Sequence, residues 1–179
     1  MGAIDPTLHV TLATALGDRL LERGWRLTTA ESCTGGLVAG VVTAVPGSSA
    51  WFERGFVTYS NDAKREMLDV PQAMLDAHGA VSEAVAHAMA EGALAHSHAQ
   101  CAVSITGVAG PGGGSPDKPV GTVCFGWIVP GIASSTATHH LAGDRGAVRQ
   151  DAVALALRGL VDLIDAVPPA GQAAPPPGH

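Results

Sequence analysis

The chain has 179 residues, a length that one domain accommodates while burying roughly 70% of the surface its unfolded form exposes. A formal net charge of -6, with 10 Lys+Arg against 16 Asp+Glu and aromatics at 4%, argues against a nucleic-acid or anionic-membrane surface and against a base-stacking platform. Three cysteines suit a reducing compartment better than a disulfide framework, and no basic n-region, h-region or apolar run of about 18 residues occurs, so a soluble cytoplasmic protein without a membrane partner is expected.

Residues 7–23 carry Leu8, Leu12, Leu16 and Leu20 at a spacing of four, with Asp5-Pro6 as a start signal and Gly24 as a stop. This predicts an amphipathic helix turning Asp18, Arg19, Glu22 and Arg23 to water. A β-tolerant stretch over 26–30 bends at Ser32 into a helix over about 34–44, marked by Leu37, Val38, Val41 and Val42 and ended by Pro46-Gly47. Residues 51–60 are β-prone through Phe52, Phe56, Val57 and Tyr59. Ser60-Asn61-Asp62 then caps a helix running through Leu68, and Pro71 begins another short one. The helix over 82–96 has a small-residue face of Ala84, Val85, Ala88, Met89, Gly92 and Ala93, which implies close backbone packing. The apolar run 101–106 reads as a buried strand feeding a Gly/Pro loop over 107–119. Strands over 120–129 and 133–141 flank Pro130-Gly131 as a hairpin, and 145–166 is a last helix whose polar stripe is Asp151, Arg158, Asp162 and Asp165. The order predicts one α/β domain over 1–167, with a mixed sheet covered on both faces, followed by a disordered Pro/Ala-rich tail over 168–179.

Chemistry concentrates in Thr28-Thr29-Ala30-Glu31-Ser32-Cys33-Thr34-Gly35-Gly36, read as a strand end turning sharply into a helix with a hydroxyl at the bend. Unpaired first-turn amides and the helix dipole would stabilise an anion or a developing oxyanion there, and Gly35 and Gly36 clear space for a ligand. The alternative is that Ser32 or Thr34 only caps the helix. The Gly107 loop matches neither the P-loop nor the dinucleotide fingerprint, which disfavours a nucleotide triphosphatase or a dehydrogenase. Its successive amides are able to converge on an oxyanion or phosphate, or the loop is merely a flexible connection. Both stretches follow strands directly, so they are placed to meet at the carboxyl edge of the sheet.

Lys64 stands in a first helical turn, where a cation opposes the dipole. Desolvated there, its amine would titrate low enough to serve a serine nucleophile as base; the alternative is a solvated surface lysine. Tyr59, the only tyrosine, is either a partner of that pair or a packing residue with its hydroxyl wet. Metal binding is rejected: His139 and His140 are adjacent on a strand and diverge, Glu83, His87 and Glu91 read as a solvated stripe, and no HExxH or paired CxxC occurs.

Together, Ala30-Glu31-Ser32-Cys33-Thr34-Gly35-Gly36, Tyr59-Ser60-Asn61 with Lys64, Thr106-Gly107-Val108-Ala109-Gly110-Pro111-Gly112-Gly113 and Gly143-Asp144-Arg145 resemble the CinA C-terminal domain family, the nicotinamide mononucleotide amidases also called PncC, over roughly residues 8–165. The resemblance implies a three-layer α/β/α fold, commonly dimeric. The implied activity is metal- and cofactor-free hydrolysis of the carboxamide of nicotinamide mononucleotide to nicotinate mononucleotide and ammonia, in pyridine-nucleotide salvage. Relatives often carry an N-terminal molybdopterin-binding-like domain with pyrophosphatase activity; because this chain starts just before the amidase region, that second activity is expected to be absent.

By the same resemblance Ser32 is the nucleophile and Lys64 and Tyr59 activate it, with the division of labour between those two left open. Substrate binding falls to Thr34, Gly35, Gly36, Asn61, Thr106, Gly107, Gly110, Gly112, Gly113, Gly114, Arg145 and Arg149. The oxyanion is expected on the amides around Thr34 and Gly35, or on Gly107; the phosphate is expected on the Gly110–Gly114 amides with Arg145 and, one turn on, Arg149. The competing expectation is a catalytically silent nucleotide-binding sensor using the same amide cradles.

Overall fold

Alternation along the central strands decides the layering. In the computed structural model, which describes residues 6–167, five strands form one sheet in the order β2-β1-β3-β4-β5: β1 (Leu27–Glu31), β2 (Phe52–Val57), β3 (Cys101–Gly107), β4 (Thr122–Val129) and β5 (Ala133–His140). β1 pairs in parallel with both β2 and β3, and the β3-β4-β5 ladder is antiparallel. Six helices surround it: α1 (Pro6–Arg23), α2 (Leu37–Thr43), α3 (Asn61–Leu68), α4 (Gln72–His78), α5 (Glu83–Ala95) and α6 (Arg145–Asp165). The chain steps from β1 to β2 in one direction and returns past β1 to β3 in the other. Right-handed crossovers therefore put α2 on one face and α3 to α5 on the opposite one.

Period-two side-chain placement fills each layer. Cys101, Val103 and Ile105 of β3 join Val123, Phe125, Trp127 and Val129 of β4 in a core shared with α1, α2 and α6. The intervening Ser104 and Thr106 turn to the other face, where their hydroxyls donate to the carbonyls of Ala86 and Ala80. That face is closed by Leu68, Val70, Leu75, Val85, Met89 and Ala93, which pack α3, α4 and α5 against Ala30 of β1. The result is the expected α/β domain with a mixed sheet between two helical layers. The small-residue face of α5 serves the close approach its composition implies, for a Cβ on Gly92 would stand 2.0 Å from the Leu68 carbonyl oxygen at the end of α3. The expected tail at 168–179 lies outside the described residues. Among the described residues no helix is long and apolar enough to cross a membrane.

Candidate active site

Two ladder bonds pin the end of β1. The Ser32 amide donates to the Ile105 carbonyl (2.9 Å), and the Thr58 amide, just past β2, donates to the Glu31 carbonyl (2.8 Å). Successive side chains then diverge as they do along a strand. Glu31 points to the α2 side, Ser32 to the α3 side, and Cys33 back into the α1/α2/α6 core at 6% exposure. Of the three, only the Ser32 hydroxyl reaches an amine.

That amine is on α3, whose N-cap is Ser60, its hydroxyl accepting from the Ala63 amide. Lys64, the fourth helical residue, is 1% exposed; its Nζ donates to Ser32 Oγ (3.0 Å) and to the Thr58 carbonyl (2.8 Å). Neither acceptor carries a charge, so nothing compensates the lost hydration of the ammonium. Burial lowers the Lys64 pKa from 10.5 to about 8. The same cause acts in the opposite sense on the neighbouring thiol, and burial pushes Cys33 up to about 11. An amine brought this close to neutrality and facing a hydroxyl, next to a thiol kept protonated, is an arrangement suited to a serine rather than a cysteine nucleophile.

The turn after Ser32 differs from the expected helix start. α2 begins at Leu37, behind Gly35 (φ 61) and Gly36 (φ 95), whose left-handed backbone suits glycine. Its N-terminus is filled from within: Glu31, 1% exposed, accepts the Gly36 (3.0 Å) and Val38 (3.1 Å) amides and the Thr34 hydroxyl (2.7 Å) on Oε2, and the Ala39 amide (2.9 Å) on Oε1. The Gly35 amide closes on the Ser32 carbonyl (3.0 Å). Neither Ser32 nor Thr34 is the cap, and no substrate anion has access to that helix end. In this run the Cys33 and Thr34 amides have no hydrogen-bond acceptor among the described residues.

Arg145 and Tyr59 meet at the rim. Arg145 opens α6 behind the N-cap Asp144 and donates through Nη1 to the Gly110 carbonyl (2.8 Å) and through Nη2 to the Tyr59 hydroxyl (2.9 Å). Tyr59 is 61% exposed and its hydroxyl bonds neither Ser32 nor Lys64. Arg145 has no carboxylate partner among the described residues, so its charge is available to an anion. Arg149 goes elsewhere, donating from Nε to the Cys33 carbonyl (3.1 Å) and from Nη2 to the Thr34 carbonyl (3.0 Å). Within the glycine loop, Gly107 and Gly114 are needed for packing, since a Cβ on either would meet backbone at 2.8 Å; Gly110 (φ 84) lies at its base, and Gly112 and Gly113 are exposed. The Thr106 hydroxyl is committed to Ala80, and Asn61 sits exposed at the start of α3.

A family model of the CinA C-terminal domain matches residues 9–164. The chain belongs to the CinA C-terminal domain family. It is 54% identical over 149 residues to the nicotinamide-nucleotide amidohydrolase PncC of Escherichia coli K12, covering 83% of this chain and 90% of that one. It is 55% identical over 157 residues to a putative competence-damage inducible protein of Symbiobacterium thermophilum, but spans only 36% of that relative's length. The crystal structure of the competence/damage inducible protein CihA from Agrobacterium tumefaciens superposes with a TM-score of 0.86 at 43% identity, covering 90% of this chain and 99% of that one.

Within this member of the CinA family, three groups at the site carry no side-chain signature that sequence reading uses. The Thr58 carbonyl that fixes Lys64 is backbone. Glu31 caps a helix starting six residues downstream, outside the usual capping distance, so local rules point to Ser32 and Thr34 instead. Arg149 reaches the turn across 115 residues of sequence, and its place one helical turn from Arg145 signals only a shared helix face.

Proposed function

We propose that this chain hydrolyses the carboxamide of nicotinamide mononucleotide to nicotinate mononucleotide and ammonia, with Ser32 as nucleophile and Lys64 as its base. The observation that carries the mechanism is the bond between Lys64 Nζ and Ser32 Oγ at 3.0 Å, in a site where the lysine is 1% exposed. Substrate class rests on the relatives named nicotinamide-nucleotide amidohydrolase, at 52% to 54% identity in Escherichia coli and Pseudomonas putida.

Neutral Lys64 takes the Ser32 proton as Oγ attacks the amide carbon, and the resulting ammonium returns that proton to the departing nitrogen. Ammonia leaves an acyl ester on Ser32. Water, deprotonated by the same lysine, then attacks the ester and releases nicotinate mononucleotide and the free hydroxyl. The Thr58 carbonyl keeps Nζ aimed during both halves. Tyr59, bonded to Arg145 at the rim, belongs with the grip on substrate rather than with proton transfer. Arg145 and the exposed amides of Gly112 and Gly113 take the phosphate. A cytoplasmic setting agrees with three unpaired cysteines. A homodimer is expected from the family resemblance, and light scattering on the purified protein tests it.

Ammonia release from nicotinamide mononucleotide, followed for wild type and Lys64→Arg, tests the reading. Arginine keeps the positive charge and does not deprotonate near neutrality, so the variant should lose nearly all turnover. Binding of the mononucleotide without ammonia would make the protein a nucleotide sensor instead. Wild-type kcat in Lys64→Arg would leave Lys64 as an electrostatic binder.

A further inference from the structure

The two arginines of α6 lie one helical turn apart, yet Arg149 contacts only the nucleophile turn, binding two successive peptide carbonyls, Cys33 at 3.1 Å and Thr34 at 3.0 Å. A trans peptide is planar, so its N–H points away from its C=O. Holding the Cys33 carbonyl on the guanidinium side therefore turns the Thr34 amide to the opposite side, and holding the Thr34 carbonyl does the same for the Gly35 amide. The second of these closes on the Ser32 carbonyl at 3.0 Å; the first has no acceptor among the described residues. From the far side, Glu31 occupies the Gly36, Val38 and Ala39 amides, leaving the Cys33 and Thr34 amides as the unpaired donors next to Ser32, and of these two only the Thr34 amide belongs to a peptide that Arg149 holds.

We propose that Arg149 is a positioning residue that fixes the Cys33–Thr34 peptide so that the Thr34 N–H receives the oxyanion formed when Ser32 attacks the carboxamide. The inference rests on the amidase reading and assigns Arg149 to the transition state, in place of the phosphate role its neighbourhood to Arg145 predicts. A guanidinium suits the task, because its planar fork reaches two carbonyls from one side chain, which the single ammonium of lysine does not reproduce. It has no carboxylate partner among the described residues, so its charge also polarises the two peptides it holds. Arg149 packs directly over the turn: a Cβ on Gly35 would stand in ordinary contact, 3.5 Å, with Arg149 Nη2.

Steady-state kinetics of wild type, Arg149→Lys and Arg149→Ala on nicotinamide mononucleotide provide the test, with inhibition by pyridine-3-boronic acid as a second readout because its tetrahedral serine adduct places an oxygen where the oxyanion forms. The expected result is a fall in kcat approaching the 10²- to 10³-fold loss typical of an oxyanion donor, with KM changed less than about threefold. Boronate affinity should fall alongside kcat while nicotinate mononucleotide binds as to wild type. Should Arg149→Ala not fold, Arg149→Lys carries the test alone, since a merely structural arginine would leave the kcat and KM split and the boronate affinity of a folded variant untouched. A raised KM with wild-type kcat, or undiminished boronate affinity, overturns the assignment while leaving the amidase reading intact. No ammonia from the wild-type protein overturns that reading, and this inference with it.

Discussion

A lysine that is 1% exposed and bonded only to a hydroxyl and a carbonyl is held against its own hydration. Its pKa of about 8 in place of 10.5 corresponds to roughly 3 kcal/mol. The sign follows from proton binding. Between those two values the unfolded chain binds more protons than the folded one, so the penalty is full below pH 8 and is relieved as pH rises from about 8 toward 10.5. Lys64→Met should therefore melt above wild type at pH 6.5, and the gain should shrink as the buffer is taken above pH 8. A variant less stable than wild type at pH 6.5 would show that the two hydrogen bonds outweigh the burial. With Lys64 as the proposed base, only the neutral amine accepts a proton, so kcat should fall on the acid side with an apparent pKa near 8. Cys33 offers the complementary comparison. Its thiol faces the core and is pushed up to about 11, so Cys33→Ala should keep most activity and Ser32→Ala almost none. Loss of activity on mild thiol alkylation of the folded protein would reverse that assignment.

At the scale of elements, the helices and strands were legible because apolar periodicity and turn residues agree with the sheet that forms. α3 starts at the expected Ser60 signal, and α5 and α6 start within a residue of the expected 82 and 145, with Ser82 and Asp144 as their N-caps. The start of α2 was not legible. Its cap comes from Glu31 in the preceding strand, a contact that exists only once Gly35 and Gly36 have reversed the chain. Four donors on one carboxylate make this the main local support of the turn after Ser32. Glutamine keeps the shape but offers a donor where an acceptor is required, so Glu31→Gln should destabilise by about 2 to 4 kcal/mol, nearly as much as alanine. Urea unfolding at constant m-value measures this, and a loss below about 0.5 kcal/mol would mean that the turn holds without its internal cap.

For the whole molecule, the site is where four distant parts of the chain converge; the meeting of the Ser32 turn with the glycine loop was legible from the strands they follow, and the particular contacts of Lys64 and of Arg145 were not. Ser32 and Lys64 are 32 positions apart and Arg145 is 86 beyond Tyr59, so no spacing rule connects them; the sheet order does, by bringing the ends of β1, β2 and β3 together. Arg145 joins the opening turn of α6 to the base of the glycine loop and to the segment after β2, using neutral acceptors only. A cation in a first helical turn is disfavoured by the dipole, and here no carboxylate offsets it, so a bound phosphate would supply the missing charge. Charge-assisted bonds of this type contribute about 1.5 to 3 kcal/mol each, and Arg145→Ala should lower kcat/KM for nicotinamide mononucleotide by roughly 10- to 150-fold. Part of any loss could come from a loosened Gly110 loop, which would affect every substrate. Nicotinamide riboside isolates that part because it lacks the phosphate: its kcat/KM should fall far less, and the difference between the two substrates measures the phosphate contact itself. Equal losses on mononucleotide and riboside would remove Arg145 from the phosphate site and leave the amides of Gly112 and Gly113 to hold it alone.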